Sequence, residues 1–188
     1  TNRALRALET FGIDPSITRE EFFKYKFDVE YSRESILAGV RNRYVKEMEG
    51  KEISDDLLPG FELIKNWNLR ADSLNTSAAL SILTLPNAFK PENLKYDRDS
   101  ITVKLRENMS YLKKQYGRID VPLGRVVRLV RGATSLPLSG GPGTLRAIYS
   151  KKGGKNYKAV AGDCYIQAVE WGPEGQLNAW SIHQYGSS

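Results

Sequence analysis

The sequence has little cysteine and histidine, the residues that most often carry disulfides, metal sites and nucleophiles. Its 188 residues include one cysteine, Cys164, and one histidine, His183. A single cysteine excludes an internal disulfide framework. One residue of each type also cannot supply the cysteine and histidine ligands of a structural zinc site. The chain is therefore neither a disulfide-stapled domain nor a Cys/His zinc domain.

Long hydrophobic runs are also missing. No apolar run approaches the ~18 residues that a membrane-spanning helix needs. The first residues do not form a targeting segment either, because no basic stretch is followed by an apolar one. We therefore expect no membrane span, in a protein that is either cytosolic or has its targeting segment outside this sequence.

The charge balance is basic without a strongly basic tract. A net charge of +6 and a pI near 9.3 are compatible with an acidic partner such as nucleic acid. However, lysine and arginine alternate with acids over most of the chain, as in REEFFKYKFDVE. Two basic clusters stand out and are typical of a solvated face: Arg118, Arg125, Arg128 and Arg131, and Lys151, Lys152, Lys155 and Lys158. We predict that nucleic acid is not a partner, and keep a basic nucleic-acid binder as the less favoured alternative.

Helical periodicity dominates the first two-thirds of the chain, and strand patterning dominates the last third. This contrast predicts an α+β fold, with a helical segment at residues 1–135 and an antiparallel strand segment at residues 136–188. Helices are predicted at residues 3–11, 35–48, 57–67, 76–85, 100–116 and 123–130, with a further helix opening after Thr18. Strands are predicted at residues 144–150, 157–161, 163–171 and 177–184.

Several residues are suited to begin or end these helices. Thr18 and Glu21 have the spacing of a capping box, in which each side chain bonds the backbone N–H of the other residue. Gly117 is placed to end the helix at residues 100–116. Four acids lack the spacing of a known calcium motif and are interpreted as helix-capping residues: Asp55, Asp56, Asp97 and Asp99.

The most constrained backbone lies in LPLSGGPGTL, residues 136–145. Its prolines fix φ and its glycines supply positive φ, so the segment specifies a particular loop shape. The GGPGT run superficially resembles a phosphate-binding loop, but it lacks the Lys-Ser/Thr ending and precedes a predicted strand, not a helix. We interpret it as a structural crossover between the two segments.

Two candidate nucleophiles can be weighed from the residues alone. Thr1 could use its own α-amine as a base, but it leads straight into a helix, which favours a capping role or a plain chain-end position. In a hairpin with Trp171 opposite Gln176, Cys164 lies opposite His183, about 5 Å away at Cβ. A Cys/His dyad is then geometrically allowed. Because no Asn or Asp is placed to orient it, we favour Cys164 as a small packed residue.

Several short segments, each weak alone, form one collinear pattern over nearly the whole chain. They are NRALRAL at 2–8, Leu63, Trp67, ADS at 71–73, AA at 78–79, Leu112, YG at 116–117, DVPLG at 120–124, RG at 131–132, LPL at 136–138, GGP at 140–142, AGDCY at 161–165, and YG with Ser188 at 185–188. This pattern resembles the penicillin acylases and acyl-homoserine-lactone acylases, which are N-terminal-nucleophile hydrolases. Cys164 and Ser187 depart from it, because the family often has serine and glutamine there.

The resemblance implies an αββα hydrolase fold in which residues 1–135 and 136–188 are parts of one larger acylase domain. Members of the family are made as a precursor, a zymogen that cuts itself into two chains. The new N-terminal residue, usually serine, attacks an amide carbonyl with its own α-amine as base. An asparagine and backbone amides hold the oxyanion. By resemblance the nucleophile and this asparagine lie upstream of Thr1, so the chain is an internal piece of the β-chain, inactive alone.

Partners and location follow from the same resemblance. The expected partners are the α-chain and the N-terminal part of the β-chain. The expected substrate is a small amide of the penicillin, cephalosporin or acyl-homoserine-lactone kind. No cofactor is expected in this piece, whereas calcium is compatible with the parent protein, which the family resemblance would place in the periplasm or outside the cell.

One functional residue of the family falls within this chain. The family can carry a substrate-pocket arginine shortly after the oxyanion asparagine, and Arg3 is the best match, with Arg6 as the alternative. A guanidinium there can hydrogen-bond a substrate carboxylate or carbonyl. The competing interpretation of Arg3 is an exposed arginine on an amphipathic helix. For the whole chain, the competing function is a non-catalytic binding or structural module on the acylase scaffold.

Overall fold

The computed structural model describes residues 1–87, 91–163 and 165–183, without the side chains of Pro91 and His183. The helices are α1 (Asn2–Glu9), α2 (Arg19–Lys26), α3 (Ile36–Glu49), α4 (Leu58–Lys65), α5 (Ala78–Thr84), α6 (Arg98–Tyr116) and α7 (Leu123–Val126), with a 3-10 turn at Pro91–Asn93. The strands are β1 (Val127–Arg131), β2 (Thr134–Pro137), β3 (Ile148–Gly153), β4 (Asn156–Gly162), β5 (Tyr165–Trp171) and β6 (Leu177–His183). The predicted α+β class is confirmed.

The helix ends follow local side-chain chemistry. The Thr18 hydroxyl accepts from the Glu21 N–H at 3.2 Å, and the Glu21 carboxylate accepts from the Thr18 N–H at 2.9 Å, so the predicted capping box is confirmed. Asp97 caps α6 by accepting from the Ser100 N–H at 3.0 Å. Gly117 ends α6 with φ of +79°, a left-handed conformation that suits glycine.

The start of α4 corrects one capping prediction. Leu57 occupies the N-cap position without a side-chain cap, and Pro59 lies in the first turn. The turn is closed by backbone bonds from the Leu57 and Leu58 N–H groups to the Ser54 carbonyl, at 2.9 and 3.0 Å. Asp56 instead forms an ion pair with Arg106 on α6. The expected acidic cap is therefore wrong, because a salt bridge to another helix holds Asp56.

The core lies among α3, α4, α5 and α6. Helix α5 packs against α4 and α6, and α4 packs against α3. Trp67 is 1% exposed, and its indole N–H donates to the Arg70 carbonyl at 3.0 Å. Burial of side chains such as Leu80 and Leu105 stabilises the fold by about 1.5–3 kcal/mol each. None of the described helices is both long and apolar enough to cross a membrane.

The four-stranded sheet has the strand order β2-β1-β4-β3. β1 pairs antiparallel with β2 and parallel with β4, where Val127 lies opposite Tyr157. β3 and β4 form an antiparallel hairpin with an irregularity at Tyr149/Ser150. The helix predicted at residues 123–130 is wrong beyond Val126, because the chain there continues as β1. Strands thus begin before residue 136, and one pairing is parallel.

Strands β5 and β6 form a separate two-stranded hairpin. Trp171 pairs with Leu177 and Tyr165 pairs with His183. The predicted register, with Trp171 opposite Gln176, is wrong by one residue, because the turn takes in Gln176, whose carbonyl accepts from the Gly172 N–H at 2.8 Å. His183 therefore has Tyr165 as its cross-strand partner. Cys164, the other member of the less favoured Cys/His dyad, lies outside the described residues.

Candidate functional site

The loop that joins β2 to β3 is fixed by backbone hydrogen bonds to distant segments. The Gly140 N–H donates to the Ala71 carbonyl at 2.7 Å, and the Arg146 N–H donates to the Asp28 carbonyl at 2.9 Å. Gly140 has φ of +116°, and a Cβ there would lie 2.3 Å from the Arg146 carbonyl oxygen. These contacts support the predicted structural role of the loop. A side chain at Gly140 would clash with the backbone of Arg146 in the same loop.

Thr144 closes the loop from within. The residue is fully buried, and its hydroxyl donates to the Arg146 carbonyl at 2.6 Å while it accepts from the Gly141 N–H at 3.1 Å. The sequence predicted Thr144 as the first residue of a strand at residues 144–150, which is wrong for its first residues, because β3 begins only at Ile148. The neighbourhood of glycines around Thr144 marks a turn, but the hydroxyl partners become visible only once the loop is folded.

Asn2 connects α1 to this loop and to the segment before α3. Its side-chain N–H donates to the Gly143 carbonyl at 3.0 Å and to the Glu30 carbonyl at 3.1 Å. Its side-chain oxygen accepts from the Ser32 N–H at 2.8 Å. The side chain of Asn2 therefore fixes where the first turn of α1 lies, although sequence reasoning gave it no role.

A cavity of about 390 Å³ lies where the first turn of α1, the start of α3 and the β2–β3 loop meet. Arg3 and Tyr149 are its large polar side chains, and a guanidinium nitrogen of Arg3 donates to the Tyr149 hydroxyl at 3.4 Å. The remaining lining residues are small, apolar or amide-bearing: Thr1, Asn2, Ser35, Ile36, Leu37, Asn87, Pro142 and Gly143. The described lining of the cavity thus offers an exposed guanidinium beside apolar groups.

Arg6, the alternative arginine, lies in a different environment. Its guanidinium forms ion pairs with Asp28, with Glu9 at 2.7 Å and with Glu30 at 2.9 Å, and its side chain is only 15% exposed. Burial acts to lower the pKa of Arg6, but the hydrogen bonds to Asp28 and Glu9 outweigh it, and the pKa is raised. A guanidinium held by three carboxylates has little capacity left for a ligand.

Thr1 also lines the cavity beside Arg3. It stands at the N-cap position of α1, but its side chain forms no cap hydrogen bond. Thr1 is bonded to the helix through its backbone carbonyl, which accepts from the Leu5 N–H at 3.2 Å. Side-chain capping, one of the two interpretations favoured for Thr1, is therefore wrong. Within residues 1–87, 91–163 and 165–183, no cluster of three or more metal-ligating side chains occurs.

The chemistry that this cavity supports is recognition. A guanidinium and a phenol beside apolar walls can orient a carboxylate or carbonyl while apolar groups of the same ligand pack nearby. The described lining residues include no histidine, cysteine or carboxylate that could act as a general base for Thr1. No protein-family model and no curated protein matches this chain.

Proposed function

We propose that this chain is part of an N-terminal-nucleophile hydrolase of the penicillin acylase and acyl-homoserine-lactone acylase kind, and that Arg3 binds the substrate. The nucleophile, the oxyanion asparagine and the α-chain belong to upstream parts of the parent protein, which cleaves an acyl group from an amide. The observation that carries the proposal is the position of Arg3, exposed in a cavity with Tyr149 and apolar walls.

The contrast between the two arginines supports this assignment. Arg6 lies one helical turn further along α1, where three carboxylates engage it. Arg3 makes no ion pair with the described residues and donates only to a neutral hydroxyl. A cation with free donors in a concave site is the one available to a substrate carboxylate or carbonyl.

The rigid β2–β3 loop also supports the proposal. Pro142 ends the LPL…GGP segment of the collinear pattern, and it lines the Arg3 cavity together with Gly143 and with Tyr149 on β3. Asn2, from the NRALRAL segment, donates to the carbonyl of Gly143. Two segments that carry the resemblance therefore meet at one site, as expected of a pattern that describes a functional scaffold.

The test uses the parent precursor, extended upstream. We expect a Ser, Cys or Thr after a glycine at a processing junction, and an Asn shortly before Thr1. In the processed enzyme, Arg3→Gln should raise KM for benzylpenicillin about tenfold, because a charged hydrogen bond to the substrate carboxylate is lost. An acyl-homoserine lactone has no carboxylate, so its KM should change less.

Arg118→Gln is the matched control, since Arg118 is exposed, pairs with Asp120 and lies away from the cavity. It should leave both KM values unchanged, and the purified 188-residue chain should hydrolyse none of these amides. An upstream sequence without a processing junction would contradict the hydrolase proposal and favour the non-catalytic scaffold module. Equal effects of Arg3→Gln and Arg118→Gln on KM would contradict the role of Arg3 and leave the hydrolase proposal untouched.

A further inference from the structure

A second cavity, of about 580 Å³, is lined by α1 and α2, by the segments between α2 and α3 and between α4 and α5, and by the β2–β3 loop. Its lining is rich in charged side chains, unlike that of the Arg3 cavity. Two of its cations are already neutralised, because Arg6 pairs with Asp28 and Glu30 while Arg70 pairs with Glu30.

Three charged side chains of this second cavity remain. Lys24 on α2, Arg146 in the β2–β3 loop and Asp72 after the core tryptophan all line it. None of the three forms an ion pair with another described residue. Two cations and one carboxylate thus line one concave site, and no salt bridge to another described residue occupies them.

The backbone holds two of these charges in place. The Arg146 N–H donates to the Asp28 carbonyl at 2.9 Å, and the Arg146 carbonyl accepts from the Thr144 hydroxyl at 2.6 Å. The Asp72 carboxylate accepts from the Leu74 N–H at 2.8 Å. The guanidinium of Arg146 also lies 5.8 Å from the centre of the Phe27 ring. Because the backbone at these positions is already fixed, ligand binding has to order only the side chains, which lowers its entropic cost.

We infer that this second cavity binds a small zwitterion, whose carboxylate faces Arg146 and Lys24 and whose ammonium group faces Asp72. A simple anion would be attracted by the two cations and repelled by Asp72, and a simple cation would meet the reverse. A zwitterion satisfies all three side chains. The Phe27 ring, which also lines the cavity, adds an apolar surface for the ligand's side chain. This inference is independent of the proposed hydrolase activity.

The test is an NMR titration of the isotope-labelled chain with phenylalanine, N-acetylphenylalanine and phenylalaninamide at millimolar concentration. We expect saturable shifts of backbone amides around Asp28, Asp72 and Arg146 with phenylalanine. Each derivative lacks one of the two charges and should bind about tenfold more weakly, as each loses a charge-assisted contact.

Variants assign the site to its residues. Arg146→Gln and Lys24→Gln should each weaken phenylalanine binding about five- to tenfold, and Arg146→Lys, which keeps the charge, should lose less. Lys46→Gln, an exposed helical lysine outside the cavity, is the matched control for Lys24→Gln and should change nothing. Absence of saturable shifts, equal binding of phenylalanine and N-acetylphenylalanine, or an Arg146→Gln titration equal to that of Lys46→Gln would each overturn the inference.

Discussion

At the scale of single residues, Thr144 determines the shape of the loop that borders both cavities. Its buried hydroxyl joins the Gly141 N–H to the Arg146 carbonyl. Arg146 belongs to the second cavity, and Gly143 to the Arg3 cavity. One side chain therefore supports the walls of both cavities.

Thr144→Val tests this role, because it keeps the shape of the side chain and removes the hydroxyl. The buried Gly141 N–H and Arg146 carbonyl would each lose a partner, so the free energy of unfolding should fall by about 2–3 kcal/mol. Urea denaturation followed by circular dichroism measures this loss. Thr144→Ser, which keeps the hydroxyl and loses a methyl group, should cost about 1 kcal/mol. Equal stability of the two variants would contradict the role of the hydroxyl.

The sequence ranked Arg3 above Arg6 by resemblance alone and gave no physical difference between them. Both lie on one short amphipathic helix, and their difference comes from Asp28 and Glu30, which are far from them in the chain. The roles of Asn2 and Thr144 escaped attention for the same reason. Their hydrogen-bond partners are backbone groups, and no residue type marks a backbone carbonyl in a sequence.

At the scale of elements, the β3–β4 turn is attached to the end of α6. The hydroxyls of Tyr111 and Tyr116 both donate to the Lys155 carbonyl, at 2.7 and 2.9 Å. Burial raises the pKa of Tyr111, with a contribution from Tyr116, and burial also raises the pKa of Tyr116. Both phenols must stay protonated to donate these bonds, so the attachment depends on pH.

Tyr111→Phe tests this attachment. At pH 7 the variant should be less stable by about 1 kcal/mol, because a hydrogen bond is lost. The folded-state pKa of Tyr111 is raised, so its contribution is fully present below the unfolded pKa of about 10 and is lost as pH rises through the folded value. The difference in unfolding free energy between the two proteins should therefore shrink above pH ~10. A difference in unfolding free energy that stays constant from pH 7 to about 11, a range that includes the unfolded phenol pKa of about 10, would contradict this account.

The helices were easier to predict than the strands. Thr18, Glu21 and Gly117 act through hydrogen bonds and backbone conformation within a single turn. The helix that begins after Thr18 and the helix that ends at Gly117 are therefore found as predicted. The VVRLV run fits both a helical and a strand spacing, and it becomes β1 because β2 and β4 pair with it. Pairing with β4 brings Val127 beside Tyr157, a contact that a local pattern does not contain.

At the scale of the whole molecule, the β5–β6 hairpin contrasts with the buried four-helix core. On one face of the hairpin, the side chains of Tyr165, Val169, Trp171 and Leu177 are exposed, with Trp171 at 71% and Leu177 at 60%. The opposite face approaches α2, where the Arg19 guanidinium lies 4.3 Å from the centre of the Trp180 ring. One face is thus partly covered by this chain, and the other face is open.

Clustered apolar side chains on an open sheet favour association. We expect the purified chain to bind an apolar fluorescent dye and to self-associate in sedimentation velocity. Trp171→Thr combined with Leu177→Thr should lower the dye fluorescence and shift the chain towards monomer, because threonine keeps strand propensity while it removes apolar area. Trp171 and Leu177 were chosen because they are a directly opposed cross-strand pair and both side chains are exposed.

Leu74→Thr is the matched control, since Leu74 is 80% exposed but does not belong to the hairpin. It should leave dye binding and the sedimentation profile unchanged, because a single exposed leucine is ordinary on a protein surface. The proposed hydrolase predicts further that the other parts of its precursor cover this face, so that the unmodified precursor binds no dye. A chain that stays monomeric and binds no dye, or a double variant that behaves as Leu74→Thr does, would show that this face needs no covering partner.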